Sequence, residues 1–209
     1  MLSSQDWFRN KRWSRRLEHE FFDKLARARS QRDQYLAIQA LTLAKHEPVA
    51  ALRLVDHYFE TRKKDFHDIQ ALSARVDAYS SLGEMPKVIE NYQAILAREA
   101  KRPSHKTTAY VDFPYLVATE NLEDQFDFAL TVLESRKRDV MFPLDRFKWH
   151  AAYALISANK GDLGGAQKHA ESALSAAEAD KSGFRYHQNL GLVGKEHKET
   201  LRALRKLQA

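Results

Sequence analysis

The chain has 209 residues, of which 44% are hydrophobic and only seven are Gly and five Pro, a composition that favours a helical core over a disordered tail or a turn-rich β-sandwich. It has no Cys, which excludes disulfides, thiolate nucleophiles and cysteine-ligated zinc and fits a reducing compartment. The net charge of +6 divides into +5 in residues 1–32, +5 in residues 181–209 and −4 between them, short of the continuous basic face of a dedicated nucleic-acid binder.

Helical periodicity starts near the N-terminus. Apolar residues recur at four-residue spacing after Ser14, at Leu17, Phe21 and Leu25. This stripe predicts a helix of about four turns. Ser30 followed by Asp33 is a capping pattern that predicts the start of a second helix. Pro48 predicts the first turn of a third, because its missing amide hydrogen would have no intrahelical partner there.

A two-helix unit then recurs along the chain. In its clearest copies a Gly ends one helix, and three apolar or small residues follow at matching positions: Gly83, Val88, Tyr92 and Ile95, then Gly161, Ala166, Ala170 and Ala173. Two weaker copies have His46 or Asn121 in place of the Gly, followed by Ala51, Val55 and Tyr58 or by Phe126, Leu130 and Leu133. Gly and Asn tolerate the left-handed conformation that ends a helix, and one helix pair buries only part of its apolar surface. The pattern therefore predicts stacked helix pairs.

These residues resemble the tetratricopeptide-repeat family, most closely at Tyr79, Gly83, Val88 and Tyr92 and at Gly161, Asp162, Ala166 and Ala173. The resemblance covers about residues 31–180. It implies an all-α fold, a right-handed superhelical array of antiparallel helix pairs, with repeats at 31–64, 65–102, 106–138 and 143–180. No Trp opens these repeats, and Pro114 falls within the first helix of the third copy, where a kink or a delayed start is expected.

The resemblance also implies that the first helix of each pair lines a concave groove. The matching positions are Asp33, Leu36, Ala40, Gln70, Ser73, Asp77, Thr108, Val111, Tyr115, Lys148 and Ala151. Asp33 and Asp77 would repel the C-terminal carboxylate that chaperone-binding members of the family hold. Tyr115 as a stacking residue and Lys148 as a lone cation suit a helix or loop of another protein. The predicted partner contacts here are Asp33, Gln70, Asp77, Tyr115 and Lys148.

Residues 1–30 are predicted to form N-terminal basic and aromatic capping helices. Their aromatic and basic cluster comprises Trp7, Phe8, Arg9, Lys11, Arg12 and Trp13. It suits the cap of a helical array, with the alternatives of base stacking, a membrane interface or docking into a partner. Ser3, Ser4 and Asp6 before Trp7 are typical of a helix start.

Residues 181–209 are predicted to close the array. The segment from Ser182 has no helical stripe, yet it is rich in apolar residues: Phe184, Tyr186, Leu190, Leu192 and Val193. We expect it to fold back over the last repeat before a final amphipathic helix with Leu201, Leu204 and Leu207. Arg185 and His187 are candidate partner-binding residues within it, and a structural role at the end of the array is the alternative.

Three basic triplets near the ends of the second helices could form a positive rim that follows phosphates. They are Arg62, Lys63 and Lys64; Arg98, Lys101 and Arg102; and Arg136, Lys137 and Arg138. The alternative is local, because cations are favoured at helix C-termini. The fourth copy ends with Glu178, Ala179 and Asp180, which breaks the series.

No catalytic, cofactor or metal motif supports an enzyme: His19 and Glu20 lack a second His one turn on, and no phosphate-binding loop or nucleophile elbow occurs. No apolar run approaches the length of a membrane span and no secretory signal is expected, so we predict a cytoplasmic protein. The leading hypothesis is a non-catalytic protein-binding adaptor or accessory subunit that needs no cofactor. The alternative is a nucleic-acid-associated repeat protein that uses the basic ends or rim, and a helical enzyme is a remote third.

Overall fold

A computed structural model of the chain describes residues 6–102, 104–137 and 140–208. About 70% of these residues are helical and none lies in a strand, which confirms the predicted all-α class. The described α-helices are α1 Arg15–Arg27, α2 Arg32–Leu43, α3 Pro48–Thr61, α4 Asp68–Leu82, α5 Met85–Lys101, α6 Ala109–Thr119, α7 Phe126–Ser135, α8 Pro143–Asn159, α9 Leu163–Ala177 and α10 Lys198–Lys206. Short 3-10 turns at Glu123–Gln125 and Lys195–His197 precede α7 and α10. No helix among the described residues is long and apolar enough to cross a membrane.

The chain forms two compact units, Met1–Lys106 and Thr107–Ala209. In the N-terminal unit α2 pairs with α3 and α4 with α5, and the first helices of the two pairs, α2 and α4, also contact each other. Its core includes Phe21 and Leu25 of α1, both buried as the apolar stripe predicts, and Tyr58 of α3.

In the C-terminal unit α6 pairs with α7 and α8 with α9, while α6 also contacts α8. The final helix, α10, packs on α8 and α9 and buries Leu204 among Phe147 and small residues of those helices. Ala166, Ala170 and Ala173 of α9 are buried, and small side chains of this kind let two helices lie close together.

Three of the four residues predicted to adopt the left-handed conformation at a helix end do so. Gly83, Asn121 and Gly161 all have positive φ, of 73°, 52° and 82°, whereas His46 does not adopt this conformation. A β-carbon disfavours positive φ, and Asn tolerates it better than His because its short side chain can bond locally. The repeat's packing positions are buried as well, except that Tyr92 and Leu130 are only partly so.

Three other predictions concern the starts of helices, and one of them is confirmed while two are wrong. Pro48 is the first residue of α3, as predicted. Ser30 does not cap α2: the helix follows Gln31, which makes no side-chain cap, and the Asp33 carboxylate accepts the backbone N–H of Lys63 instead. Helix α6 runs through Pro114 from Ala109, so the delayed start was wrong.

The predicted helix start before Trp7 was also wrong within the described residues. Residues 6–9 form a turn closed by the N–H of Arg9 and the carbonyl of Asp6, and residues 10–13 are not helical. The first helix begins after Ser14, whose hydroxyl accepts the N–H of Leu17. Ser3 and Ser4 lie outside the described residues.

Candidate binding surfaces

The segment 182–191 is an ordered loop in the C-terminal unit, which we call the presented loop. Ser182 closes its two ends: its N–H donates to the carbonyl of Gln188 at 2.6 Å, and its hydroxyl donates to the carbonyl of His187 at 2.6 Å. Ser182 itself is buried. The N–H of His187 donates to the carbonyl of Phe184. A backbone held by its own hydrogen bonds loses little further entropy when a partner binds.

The presented loop is attached to the start of α8. The N–H of Leu144 donates to the carbonyl of Gly191 at 2.8 Å, and the Phe184 and Phe142 rings stack with centroids 5.1 Å apart. Gly191 has φ of +70°, and a β-carbon there would lie 2.6 Å from the Phe142 ring. Only glycine fits this position without a shift, because both the backbone conformation and the space exclude a side chain.

Large side chains of the presented loop point into solvent. Phe184, Tyr186 and Leu190 are 41%, 82% and 54% exposed, so the expectation that they fold back over the preceding helices is wrong for Tyr186 and Leu190. Arg185 and His187, the predicted site residues of this segment, are exposed beside them. The Arg185 guanidinium lies 5.4 Å from the Tyr186 ring centroid. The surface therefore combines apolar, aromatic and cationic groups on one ordered loop.

The predicted groove residues of the C-terminal unit lie together, with partners inside the unit. The Tyr115 hydroxyl makes hydrogen bonds with His197 Nδ1 at 2.9 Å and Thr200 Oγ1 at 2.7 Å. Burial raises the pKa of Tyr115 and lowers that of His197. Lys148 is not the predicted lone cation, because its Nζ lies 2.6 Å from a carboxylate oxygen of Asp112. The segment before and within α10 thus covers the Tyr115 hydroxyl.

Elsewhere, four predicted groove positions lie in the core. Leu36, Ala40, Val111 and Ala151 are fully buried, because the apolar stripe of each first helix packs inward, so their assignment to a groove surface was wrong. In the N-terminal unit Gln70 and Asp77 of α4 are half-buried, and Asp33 is half-buried with its carboxylate bonded to the Lys63 backbone. Their contact with a partner stays a prediction.

The aromatic residues near the N-terminus pack against the core of the N-terminal unit. Phe8 stacks on Tyr35 with ring centroids 4.4 Å apart, while Trp7 and Trp13 both contact Phe21. The backbone N–H and the side-chain amide of Asn10 both donate to the side-chain oxygen of the buried Gln39. The side-chain nitrogen of Gln39 donates in return to the Asn10 carbonyl. This arrangement favours the cap over base stacking for these aromatic rings, although the neighbouring cations Lys11 and Arg12 are exposed.

A buried carboxylate explains part of the predicted basic rim. Asp68 is 2% exposed and contacts Arg62 at 2.7 Å, Arg98 at 3.3 Å and the Tyr58 hydroxyl, which donates to it at 2.9 Å. Burial, and then the bond to Asp68, raises the pKa of Tyr58. Two rim arginines therefore neutralise a buried charge. In the third triplet, Arg138 lies outside the described residues.

A histidine pair in the C-terminal unit was not singled out by the sequence. His150 Nδ1 and His169 Nδ1 lie 3.0 Å apart, a geometry in which one nitrogen must donate and the other accept. Burial first, then His169 and Lys137, lowers the pKa of His150 to about 4. The rings pack among Trp149 and Tyr153. The two histidines lie 19 residues apart, a spacing that matches no known motif. Only the pairing of α8 with α9 brings them together. Within the described ranges, no group of three or more His, Cys, Asp or Glu could hold a metal ion.

Comparison of the chain with protein-family models, curated proteins and solved structures gave no match. The resemblance to the tetratricopeptide-repeat family therefore depends on the residues quoted for it, and the superhelical arrangement of the pairs stays a prediction.

Proposed function

We propose that the chain is a non-catalytic protein-binding adaptor or accessory subunit, and that its partner contacts the presented loop. Paired helices, arranged as the tetratricopeptide-like array that the resemblance implies, would serve as the scaffold. Function on such a scaffold resides in the site and not in the fold, so the proposal depends on the loop.

One observation carries the proposal: the presented loop combines an ordered backbone with large exposed side chains. Tyr186 is 82% exposed although the bonds of Ser182 fix the backbone on either side of it. An aromatic side chain that stays exposed contributes little burial free energy to folding. Contiguous exposed apolar groups mark interaction sites in soluble proteins. A fixed backbone lowers the entropy lost on association.

The residue types favour a protein partner. Tyr and Arg are enriched among the residues that dominate protein interfaces, and Tyr186 and Arg185 stand side by side at the most exposed part of the loop. Met141, 63% exposed, directly precedes the Phe142 on which Phe184 stacks, and so adds apolar area beside the loop.

The groove version of the hypothesis is weaker in the C-terminal unit. Tyr115 and Lys148 already bond His197 and Asp112 within the unit, so a partner would have to displace those bonds. Gln70 and Asp77 of α4 stay candidates for a secondary contact in the N-terminal unit.

The proposal is tested by affinity capture with the full chain and matched variants. The double variant Arg185→Ala/Tyr186→Ala removes the loop's most exposed cation and ring. The control Leu163→Ala/Arg205→Ala removes one exposed apolar side chain and one exposed cation elsewhere in the same unit. A partner retained in equal molar amount by wild type and control, resistant to nuclease, and reduced at least tenfold by the loop variant is the expected result.

Equal recovery of the partner by the loop variant and the control would show that the presented loop is not the binding surface. A partner released by nuclease would instead indicate an indirect association through nucleic acid, and the adaptor proposal would fail.

A further inference from the structure

A second surface lies in the N-terminal unit, where the ends of α1, α3 and α5 border adjoining concavities. One concavity has a volume of about 720 Å³ and includes Arg29, Arg32, Lys63 and Lys64 in its lining. A second, of about 710 Å³, shares Lys63 and Lys64 with the first and adds Phe66. The two concavities therefore adjoin each other at Lys63 and Lys64, and together they make a depression bordered by cations.

A smaller concavity extends this depression towards the end of α5. It has a volume of about 60 Å³ and shares Asp65 and Arg102 with the second, and it is also bordered by Lys101 and His105. We call the whole surface the basic end, defined by Arg29, Arg32, Lys63, Lys64, Phe66, Lys101 and Arg102.

Its cations fall into two groups. Arg102 pairs with Asp65 at 2.8 Å, and Arg32 contacts His57, so these two have partners within the unit. Across the described parts of the chain, no carboxylate pairs with Arg29, Lys63, Lys64 or Lys101.

Unpaired cations gathered on one concave surface repel one another and concentrate anions from solution. Two carboxylates also line the surface: Asp33, which accepts the backbone N–H of Lys63, and Asp65, which pairs with Arg102. The six cations of the basic end outnumber these two acidic side chains. The surface therefore favours a ligand that carries several negative charges.

Phe66 indicates which polyanion fits. Its ring is 60% exposed among these cations, and it is held by edge contacts with His67 at 5.0 Å and His105 at 4.8 Å. An exposed, oriented ring beside a row of cations is the combination by which proteins bind single strands, because phosphates follow the charges while a base stacks on the ring. A duplex hides the faces of its bases, and neither a run of Asp and Glu side chains nor a free phosphate supplies an aromatic ring to stack on Phe66.

We propose that the basic end binds the sugar-phosphate backbone of single-stranded nucleic acid, with one base stacked on Phe66. Arg29, Lys63 and Lys64 contact successive phosphates, and Lys101 extends the path towards α5. Because every base has a flat face that can stack on an aromatic ring, the site has little sequence preference. This site is in a different unit from the presented loop and is independent of the protein-binding proposal.

Fluorescence anisotropy of a labelled oligouridylate of about 12 nucleotides, titrated with the full chain at about 50 to 200 mM salt, tests the electrostatic part. Arg29→Gln/Lys63→Gln/Lys64→Gln should weaken binding at least tenfold at the lowest salt and make the log–log salt slope less negative by about 2, since each phosphate contact on a single strand contributes about 0.7. The control Lys198→Gln/Arg205→Gln/Lys206→Gln removes the same charge from exposed positions of the C-terminal unit and should change affinity less than twofold.

Phe66→Ala tests the stacking part separately. It should weaken binding about tenfold with an unchanged salt slope, whereas Phe66→Trp should keep or improve affinity, because its ring can still stack on a base. The proposal is overturned by any of four results: undetectable binding at the lowest salt, equal binding of a duplex or of polyglutamate, equal loss in the control, or equal affinity of the Phe66→Ala variant and wild type.

Discussion

Replacing Gly191 with Ala should detach the presented loop from α8 without unfolding the C-terminal unit. A residue other than glycine at φ of +70° costs about 1–2 kcal/mol. The new β-carbon would also lie 2.6 Å from the Phe142 ring, so the ring must move and its stacking on Phe184, worth about 0.5–1.5 kcal/mol, is lost. The backbone bond to Leu144 is worth about 1 kcal/mol more, so the attachment weakens by about 2.5–4.5 kcal/mol in all.

Hydrogen exchange measures this effect directly. The Leu144 amide donates to the Gly191 carbonyl and should exchange about 70-fold to about 2,000-fold faster in the Gly191→Ala variant. Amides in the middle of α8, such as that of the buried Ala151, should keep their protection. Gly183→Ala is the control within the same loop, because no atom lies within 4 Å of its added β-carbon and its φ is not positive.

Unchanged protection of the Leu144 amide in the Gly191→Ala variant would refute the view that Gly191 fixes the loop to α8. Equal deprotection in the Gly183→Ala variant would show that the loop has no specific attachment.

Three further outcomes are expected in urea unfolding. Asp68→Ala should lower the free energy of unfolding by about 3 kcal/mol, because it leaves the buried Tyr58 hydroxyl and two partly exposed arginines without their acceptor. Its control Asp65→Ala, at an exposed pair, should leave the urea midpoint unchanged. Since the pKa of His150 is about 4 in the fold and about 6.5 in an unfolded chain, stability is lost as pH falls below the unfolded value. Between about pH 7 and pH 5 wild type should lose about 1 kcal/mol more than His150→Gln, after allowance for half-burial, and His187→Gln should behave as wild type. Tyr115→Phe should cost about 1–2 kcal/mol through its two lost bonds and leave partner capture unchanged; weaker capture in a folded variant would restore the groove hypothesis.

Much of the helical framework could be predicted because its signals are local. Gly83 and Gly161 end helices through their own backbone freedom, and Pro48 starts one through its own missing amide hydrogen. Leu36 and Ala40 were misplaced because an apolar stripe indicates burial without showing which neighbour covers it. A shift in helix register turns a groove position into a core position.

The candidate surfaces were only partly predictable, because they depend on contacts between distant residues. Arg185 and His187 were singled out by their place in an irregular stretch, but the backbone bonds that order the loop have no periodic signal. The Tyr115 hydroxyl meets His197 from 82 positions away, which no spacing rule anticipates. The rim pattern pointed to Lys63 and Lys64 but did not reveal that Asp68 engages Arg62 and Arg98.

The central claim, that a partner protein contacts the presented loop, is tested most directly by site-specific photo-crosslinking. Tyr186 is replaced by p-benzoylphenylalanine in one variant of the 209-residue chain, and Leu163, also exposed in the C-terminal unit, is replaced in another. We predict one adduct of defined mass from position 186, resistant to nuclease, and none from position 163. An equal adduct from both positions, or an adduct from position 163 alone, would contradict the claim.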